Sequence, residues 1–69
     1  MDQKELETRF TYHAPKEGQA NKYEMIRDYG KGFSAIIETS CPESREKSLA
    51  ITKIEEAVMW ANAAIARRE

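Results

Sequence analysis

The sequence predicts an all-α fold in which a short N-terminal helix precedes a long antiparallel helical hairpin. Apolar residues recur every three or four positions between residues 17 and 39, a spacing that places them on one face of an α-helix. After Pro42 no glycine or proline interrupts the chain as far as Arg67, so a second long helix is predicted there. Since no repeat, low-complexity tract or long linker occurs, residues 1–69 are predicted to form a single domain.

The N-terminal helix is predicted from Asp2 to about Arg9. Asp2 is suited to the N-cap position, and Leu6 is the only large apolar residue within the helix. We therefore expect this helix to depend on docking against the rest of the chain. Pro15 fixes its own φ and disfavours a helical conformation for the residue before it. Residues 10–16 are accordingly predicted to form a stiff connector outside the helix.

The first hairpin helix is predicted from Glu17 to about Thr39. Gly30 and Gly32 each cost about 1 kcal/mol relative to alanine in a helix interior. We therefore expect them to mark a break or to allow another backbone or a ligand to approach closely, with close helix packing favoured. The predicted buried stripe of this helix consists of Tyr23, Ile26, Tyr29 or Gly30, Phe33, Ile36, Ile37 and Ser40.

The second hairpin helix is predicted to begin at about Pro42, which suits the first helical turn. Ser40, Cys41 and Ser44 are alternative N-caps. Two apolar stripes run along this helix, and one hairpin partner covers only one of them. The second stripe is therefore expected to pack against other subunits, with Trp60 as an anchor; the alternative is that Trp60 packs within its own chain. The first stripe comprises Ile51, Ile54, Val58, Ala61 and Ile65, and the second comprises Ala50, Ala57, Trp60 and Ala64.

Composition narrows the possible classes of function. The net charge is −1, with 11 basic and 12 acidic residues, so no global field attracts duplex nucleic acid or an anionic membrane, and any anion site must be local. One cysteine and one histidine form neither an intrachain disulfide nor a zinc set, and we expect no metal or cofactor.

A lone helix pair buries too little surface to be stable by itself, so self-association is predicted. No apolar run suggests a signal peptide or a membrane span, and the chain is expected to be intracellular.

Residues 10–16 carry the densest set of candidate binding groups, Phe10-Thr11-Tyr12-His13-Ala14-Pro15-Lys16. An exposed Tyr12 suits a flat anionic ligand, because its ring stacks on a base while the ammonium of Lys16 meets a phosphate. The alternatives are that Phe10 and Tyr12 cover a helix end, and that His13 makes a local hydrogen bond in place of a ligand contact. No nucleophile, metal set or carboxylate pair is evident in the sequence, so we predict a binding protein and not an enzyme.

Four segments of the chain resemble the phage anti-CBASS sponge family, which shares a helical hairpin domain with a Thoeris anti-defence sponge. The resemblance extends from about residue 8 to residue 68. The segments are Phe10-Thr11-Tyr12-His13-Ala14-Pro15-Lys16, Tyr23-Glu24-Met25-Ile26-Arg27, Pro42-Glu43-Ser44-Arg45-Glu46-Lys47-Ser48-Leu49-Ala50 and Glu55-Glu56-Ala57-Val58-Met59-Trp60-Ala61-Asn62-Ala63-Ala64-Ile65-Ala66.

This resemblance implies a small helical protomer that assembles into a compact homohexamer. It implies sequestration, without cleavage, of cyclic dinucleotides such as cyclic GMP-AMP, and of cyclic trinucleotides at a second type of site. The expected place of action is the cytoplasm of a phage-infected bacterium, where an immune effector is deprived of its signal. The alternative from the residues alone is a small oligomeric helical adaptor that binds another protein through Met59 and Trp60.

The resemblance also assigns roles to individual residues. Tyr12 corresponds to the base-stacking tyrosine of the family, and Arg27 to a basic residue that contacts phosphate, with Lys31 as its alternative one turn further on. Arg67 is the candidate for the trinucleotide site, and Arg68 is its rival. Guanidinium groups suit this task because they bind two phosphate oxygens at once.

Overall fold

The computed structural model describes residues 1–69 and contains three α-helices and no strand. Helix α1 spans Gln3–Phe10, α2 spans Gln19–Ser40 and α3 spans Arg45–Arg68. The all-α prediction is therefore confirmed. None of the three helices combines the length and the apolar character that a membrane-spanning segment requires.

Helix α1 begins where the sequence predicts. The Asp2 carboxylate accepts a hydrogen bond from the backbone N–H of Lys4 at 2.9 Å, which satisfies one of the free donors at the start of the helix. The helix ends later than expected, because Phe10 is still helical and the extended backbone begins at Thr11. The prediction that Phe10 belongs to the connector is therefore wrong. Pro15 lies too far along the chain to end the helix before that ring.

Helix α2 starts two residues after the predicted Glu17 because of Gly18. This glycine has φ 84°, in the left-handed region, which glycine occupies without the steric cost that a Cβ imposes. The left-handed residue turns the chain out of the connector and into Gln19, the first residue of α2. At the other end, the backbone N–H of Cys41 still donates to the carbonyl oxygen of Ile37 at 3.0 Å.

Helix α3 is capped by Ser44, which resolves the choice among three candidate caps. The Ser44 hydroxyl accepts a hydrogen bond from the backbone N–H of Lys47 at 3.1 Å. Because the helix begins at Arg45, Pro42 lies in the turn before it, and its predicted place in the first helical turn is wrong. Proline is favoured immediately after the cap, and here the cap follows Pro42 by two residues.

Helices α2 and α3 pack along their lengths in opposite directions. Lys47 near the start of α3 forms an ion pair with Glu38 near the end of α2, at 3.1 Å, whereas the side chain of Gln19 at the start of α2 reaches the carbonyl oxygen of Ile65 at 3.4 Å. The half-buried contact face comprises Tyr23, Ile26, Gly30, Ser34 and Ile37 on α2 and Ile51, Ile54, Val58, Ala61 and Ile65 on α3. The first stripe predicted on α3 is thus the one that meets α2.

The contact face of α2 is rotated relative to the prediction. Gly30 lies in it and Tyr29 does not, since a Cβ built on Gly30 would stand 2.5 Å from Cγ2 of Val58. Phe33 and Ile36 are 56% and 61% exposed and Ser40 is also exposed, so their predicted burial within the chain is wrong. Tyr29, the alternative to Gly30 in that stripe, is 77% exposed. At about 100° per residue these residues lie to one side of the α2 contact face, whose centre runs along the helix through Gly30 and which we call the Gly30 line. We call Met25, Tyr29, Phe33 and Ile36, all exposed, the α2 strip.

The turn between α2 and α3 is held by Lys47, which is only 6% exposed. Its ammonium contacts the carboxylates of Glu43, in the turn, and Glu38, in α2. The hydrogen bond to Glu43 raises the pKa of Lys47, with Glu38 adding to the effect and burial opposing it. The charge is therefore retained where the aliphatic stem is covered.

No apolar residue of the chain is buried. The buried residues are both polar, Gln19 at 3% and Lys47 at 6% exposed. The accessible surface is 5627 Å², against about 4,400 Å² expected for a compact protein of this mass. The radius of gyration is 15.2 Å, against about 11 Å for a compact domain of this length. The chain forms a plate with Cα extents of 45 × 30 × 13 Å, which leaves both faces of the helix pair open.

We expect Gly30→Ala to destabilise the chain and Gly32→Ala to stabilise it. The added Cβ at Gly30 meets Val58, whose β-branched side chain has little rotamer freedom in a helix, and overpacking of this kind costs about 1–3 kcal/mol. The Cβ at Gly32 meets nothing within 4 Å, so the higher helix propensity of alanine contributes up to about 1 kcal/mol. Urea unfolding followed by circular dichroism measures both changes. Equal shifts of the same sign in the two variants would contradict the close approach at Gly30.

Candidate functional site

The end of the helix pair nearest the connector forms an open groove with a volume of about 480 Å³. Residues from α1, the connector, α2 and α3 all line it, so no single element forms this site. We call it the Tyr12 groove. Its lining consists of Arg9, Thr11, Tyr12, His13, Pro15, Tyr23, Arg27, Met59, Asn62, Ala63, Ala66 and Arg67.

Tyr12 presents its ring in a connector that is anchored on both sides. The residue is 83% exposed. On the side of α1, Nε2 of His13 lies 2.7 Å from the carbonyl oxygen of Thr8. On the side of α2, the backbone N–H of Lys16 donates to Oε1 of Gln19 at 2.9 Å. An exposed ring on a restrained segment provides a stacking surface at low entropic cost.

His13 makes the local hydrogen bond that the sequence left open as an alternative. Its Nε2 pairs with the carbonyl oxygen of Thr8, and the residue is half-buried. His13 also lines the Tyr12 groove. The structure therefore places this imidazole at the site, while one of its two nitrogens is already engaged in holding the connector to α1.

Two guanidinium groups in the Tyr12 groove have no acidic partner. Arg27 extends from α2 and Arg67 from the last turn of α3, and neither forms an ion pair. A third arginine in the lining, Arg9, pairs with Glu5 at 3.2 Å. The groove thus combines an aromatic surface with uncompensated positive charge, which suits an anionic ligand with flat groups.

The other three predicted site residues lie outside the Tyr12 groove. Lys31 lines a separate groove beside Ser34 and Glu55, one turn further along α2. The ammonium of Lys16 donates to the main-chain oxygen of Glu69 at 2.8 Å. Arg68 binds Glu5 through Nη1 and Nη2 of its guanidinium group. The structure therefore brings together four of the seven predicted residues, Tyr12, His13, Arg27 and Arg67.

The Glu5–Arg68 pair fastens α1 to the end of α3. Nη1 of Arg68 donates to Oε2 of Glu5 at 2.9 Å, and Nη2 donates to Oε1. These hydrogen bonds, followed by the one from Arg9, lower the pKa of Glu5 to about 2 and hold the carboxyl group ionised. The sequence predicted that α1 must dock against the rest of the chain, and these polar contacts are the main link between α1 and α3.

A second polar cluster joins the start of α2 to the end of α3. Nζ of Lys22 lies 2.6 Å from Oε2 of Glu69, and Nε2 of Gln19 donates to Oε1 of the same residue at 3.2 Å. The hydrogen bond from Lys22, with that from Gln19, lowers the pKa of Glu69. Together with the Glu5–Arg68 pair, this cluster sets the position of the connector relative to α3.

Sequence reasoning missed Arg9, Met59 and Asn62 as parts of the site. Asn62 is half-buried in the groove lining, and its Oδ1 is buried without a hydrogen-bond partner. A signal was present, because Asn62 is the one polar residue between Ala61 and Ala66. Arg9 had no comparable signal, since its place depends on how α1 docks.

A neighbouring groove lies beside two exposed rings. Phe10 of α1 is 83% exposed and Trp60 of α3 is 62% exposed, and both line a groove of about 480 Å³ together with Arg67 and Arg68. Arg67 therefore lines both grooves.

No group of three His, Cys, Asp or Glu side chains in the structure could hold a metal ion.

Comparison with known proteins identifies one relationship. A family model described as Acb2/Tad1, hairpin domain, matches residues 1–66. The match includes α1, the connector, α2 and most of α3. No curated protein and no solved structure matches the chain.

We expect Glu5→Gln to reduce the acid sensitivity of the fold. The pKa of Glu5 is lowered from its ordinary value of 4.5 to about 2 in the folded chain. A lowered carboxyl pKa contributes stability that is present above the unfolded value and is lost as the pH falls towards the folded value. Unfolding titrations between pH 6 and about 2 should therefore decline less steeply in this variant than in the wild-type chain. The control is Glu7→Gln, because Glu7 forms no ion pair; identical pH profiles for the two variants would contradict the assignment.

Proposed function

The chain belongs to the Acb2/Tad1 hairpin-domain family of anti-CBASS and anti-Thoeris sponges, and we propose that it binds and sequesters cyclic oligonucleotide second messengers. Cyclic dinucleotides such as cyclic GMP-AMP are the proposed principal ligands. Sequestration in the cytoplasm of a phage-infected bacterium would deprive a CBASS effector of its signal. The observation that carries the proposal is the Tyr12 groove, which an exposed tyrosine lines together with two arginines that form no ion pair.

The chemistry of the groove matches the two kinds of group in such a ligand. A stacked base contributes about 1–3 kcal/mol on an aromatic side chain, and Tyr12 offers that surface to solvent. Each phosphodiester is an anion that a guanidinium binds through two parallel hydrogen bonds, and Arg27 and Arg67 are free to do so. The volume of about 480 Å³ falls in the range of small-molecule sites, about 300–1,000 Å³.

Arg67 supports the proposal of a second ligand class. Arg67 lines both the Tyr12 groove and the groove beside Phe10 and Trp60, so its guanidinium group is placed to contact a ligand in either groove. We assign cyclic trinucleotides to a site that includes Arg67. Arg68 is the less suitable candidate, since its guanidinium is already bound to Glu5.

Assembly into a homohexamer is part of the same proposal. The α2 strip is exposed and continues into an apolar groove with Ile54, Ala57 and Ala61 of α3, while Met59 and Trp60 are 60% and 62% exposed. Helical periodicity places the α2 strip and Arg27 on opposite sides of the Gly30 line. A second copy could therefore cover the strip and leave the Tyr12 groove open.

Binding without cleavage is supported by what lines the groove. The lining consists of arginines, an imidazole, aromatic rings, hydroxyl groups, an amide and apolar residues, with no carboxylate and no thiol. Hydrolysis of a phosphodiester needs an activated nucleophile and a general acid or base. No carboxylate of the lining is available to activate a hydroxyl group, and His13 uses Nε2 to bind the Thr8 carbonyl oxygen. The sponge therefore acts by mass action, and its capacity equals its number of sites.

We expect the wild-type protein to take up cyclic GMP-AMP stoichiometrically and to release it intact on denaturation. Tyr12→Ala should weaken binding about 5- to 150-fold, which corresponds to the loss of one stacked base. Calorimetric titration with a panel of cyclic dinucleotides and trinucleotides measures the affinities, and chromatography of the denatured complex shows whether the ligand is unchanged.

Tyr12→Phe is the matched control, because it keeps the ring and removes only the hydroxyl group. It should bind within a few fold of the wild-type chain, and light scattering should give one oligomeric mass for all three proteins. A flat calorimetric response across the panel would overturn the proposed function. Linear hydrolysis products would show an enzyme, and a monomeric wild-type chain would contradict the assembly and favour a protein-binding adaptor.

We expect Arg27→Ala to weaken dinucleotide binding far more than Lys31→Ala. Arg27 lines the Tyr12 groove, whereas Lys31 lies in a different groove, and a hydrogen bond to a charged group contributes about 1.5–3 kcal/mol. The loss should therefore be about 10- to 150-fold for Arg27→Ala and less than threefold for Lys31→Ala. Both variants remove one exposed positive charge from the same helix, so the comparison controls for net charge. A larger loss for Lys31→Ala would place the phosphate one turn further along α2.

A further inference from the structure

Gln19 is the most buried residue of the protomer, with 3% of its surface exposed. Glutamine is rarely buried to this extent unless its amide is hydrogen-bonded. Its position at the first turn of α2 adjoins the connector that carries Tyr12. Gln19 does not line the Tyr12 groove, so its side chain is not a candidate ligand contact.

The amide of Gln19 joins the connector to α3. Its Oε1 accepts the hydrogen bond from the backbone N–H of Lys16 at 2.9 Å. Its Nε2 donates towards the carbonyl oxygen of Ile65 at 3.4 Å and to Oε1 of Glu69 at 3.2 Å. One side chain therefore supplies an acceptor to the connector and donors to α3, a combination that no apolar residue of the same size provides.

These contacts act on the walls of the Tyr12 groove. Lys16 directly follows Pro15, which lines the groove. Because the proline ring fixes φ at Pro15, the position of the Lys16 backbone restricts the positions of the connector residues before it, Tyr12 among them. The hydroxyl group of Tyr23, another lining residue, lies 3.4 Å from Oε1 of Gln19. The shortest of these contacts, the one to Lys16, fixes the α2 side of the connector, as His13 fixes the α1 side.

We propose that Gln19 is a positioning residue that holds the connector against α3 and keeps Tyr12 in its ligand-binding orientation. This inference rests on the proposed function. Without the amide, the connector samples other positions, and only a fraction of the molecules is competent to bind. The apparent dissociation constant then rises by the inverse of that fraction. The loss falls on the association rate, because a bound complex still makes every ligand contact.

The test compares Gln19→Leu with Asn21→Leu, an exposed position on the same helix. Stopped-flow binding of cyclic GMP-AMP should show an association rate at least fivefold lower for Gln19→Leu, with the dissociation rate within twofold of the wild-type value. Asn21→Leu should leave both rates unchanged. By contrast, Tyr12→Ala should raise the dissociation rate, since it removes a contact to the bound ligand. A rise in the dissociation rate of Gln19→Leu would overturn the positioning role.

Hydrogen exchange in the free protein separates this inference from the proposed function. The Lys16 amide should exchange at least tenfold faster in Gln19→Leu than in the wild-type chain, and amides in the middle of α2 should be unchanged. If this difference is absent, Gln19 does not hold the connector and the inference fails. If the difference is present but the wild-type protein binds no cyclic nucleotide, the hydrogen bond is real while the positioning role fails together with the proposed function.

Discussion

The close contact of α2 with α3 at Gly30 determines how the other parts of the fold are arranged around the helix pair. Val58 occupies the space that a Cβ at Gly30 would require, so the two backbones approach more closely there than other side chains allow. This contact sets the rotation of α2 about its own axis. One side of the helix then presents Arg27 to the Tyr12 groove, and the other presents the α2 strip to solvent.

Polar contacts perform the second task, which is to place α1 and the connector against the helix pair. Arg68 binds Glu5, Glu69 binds Lys22 and Gln19, and all of them meet at the end of α3. Exposed ion pairs of this kind contribute little stability individually, but they are directional and therefore specify position. Directional polar contacts therefore position the residues of the Tyr12 groove. Apolar surface is buried mainly in the contact between α2 and α3 and, as proposed, between copies of the chain.

The sequence predicted much of the fold because its signals were local. The Asp2 cap, the stripe from Ile51 to Ile65 and the uninterrupted stretch after Pro42 each follow from spacing within one helix. The site was predicted only in part. Arg27 and Lys31 lie one turn apart on α2 and carry the same charge, so spacing alone could not separate them, whereas the structure places only Arg27 beside Tyr12.

Patterns in the amino-acid sequence were enough to predict that the chain is helical, that the second stripe of α3 has no intrachain partner, and that Tyr12 is a candidate stacking residue. The packed helices were needed to show which face of α2 is covered, that Phe10 is helical, and that Arg9 and Asn62 line the Tyr12 groove. The physical reason is the range of the interactions. Caps and periodicity act over a few residues, whereas the groove depends on contacts such as Glu5 with Arg68, between residues that are distant in the chain and meet only when the helices pack.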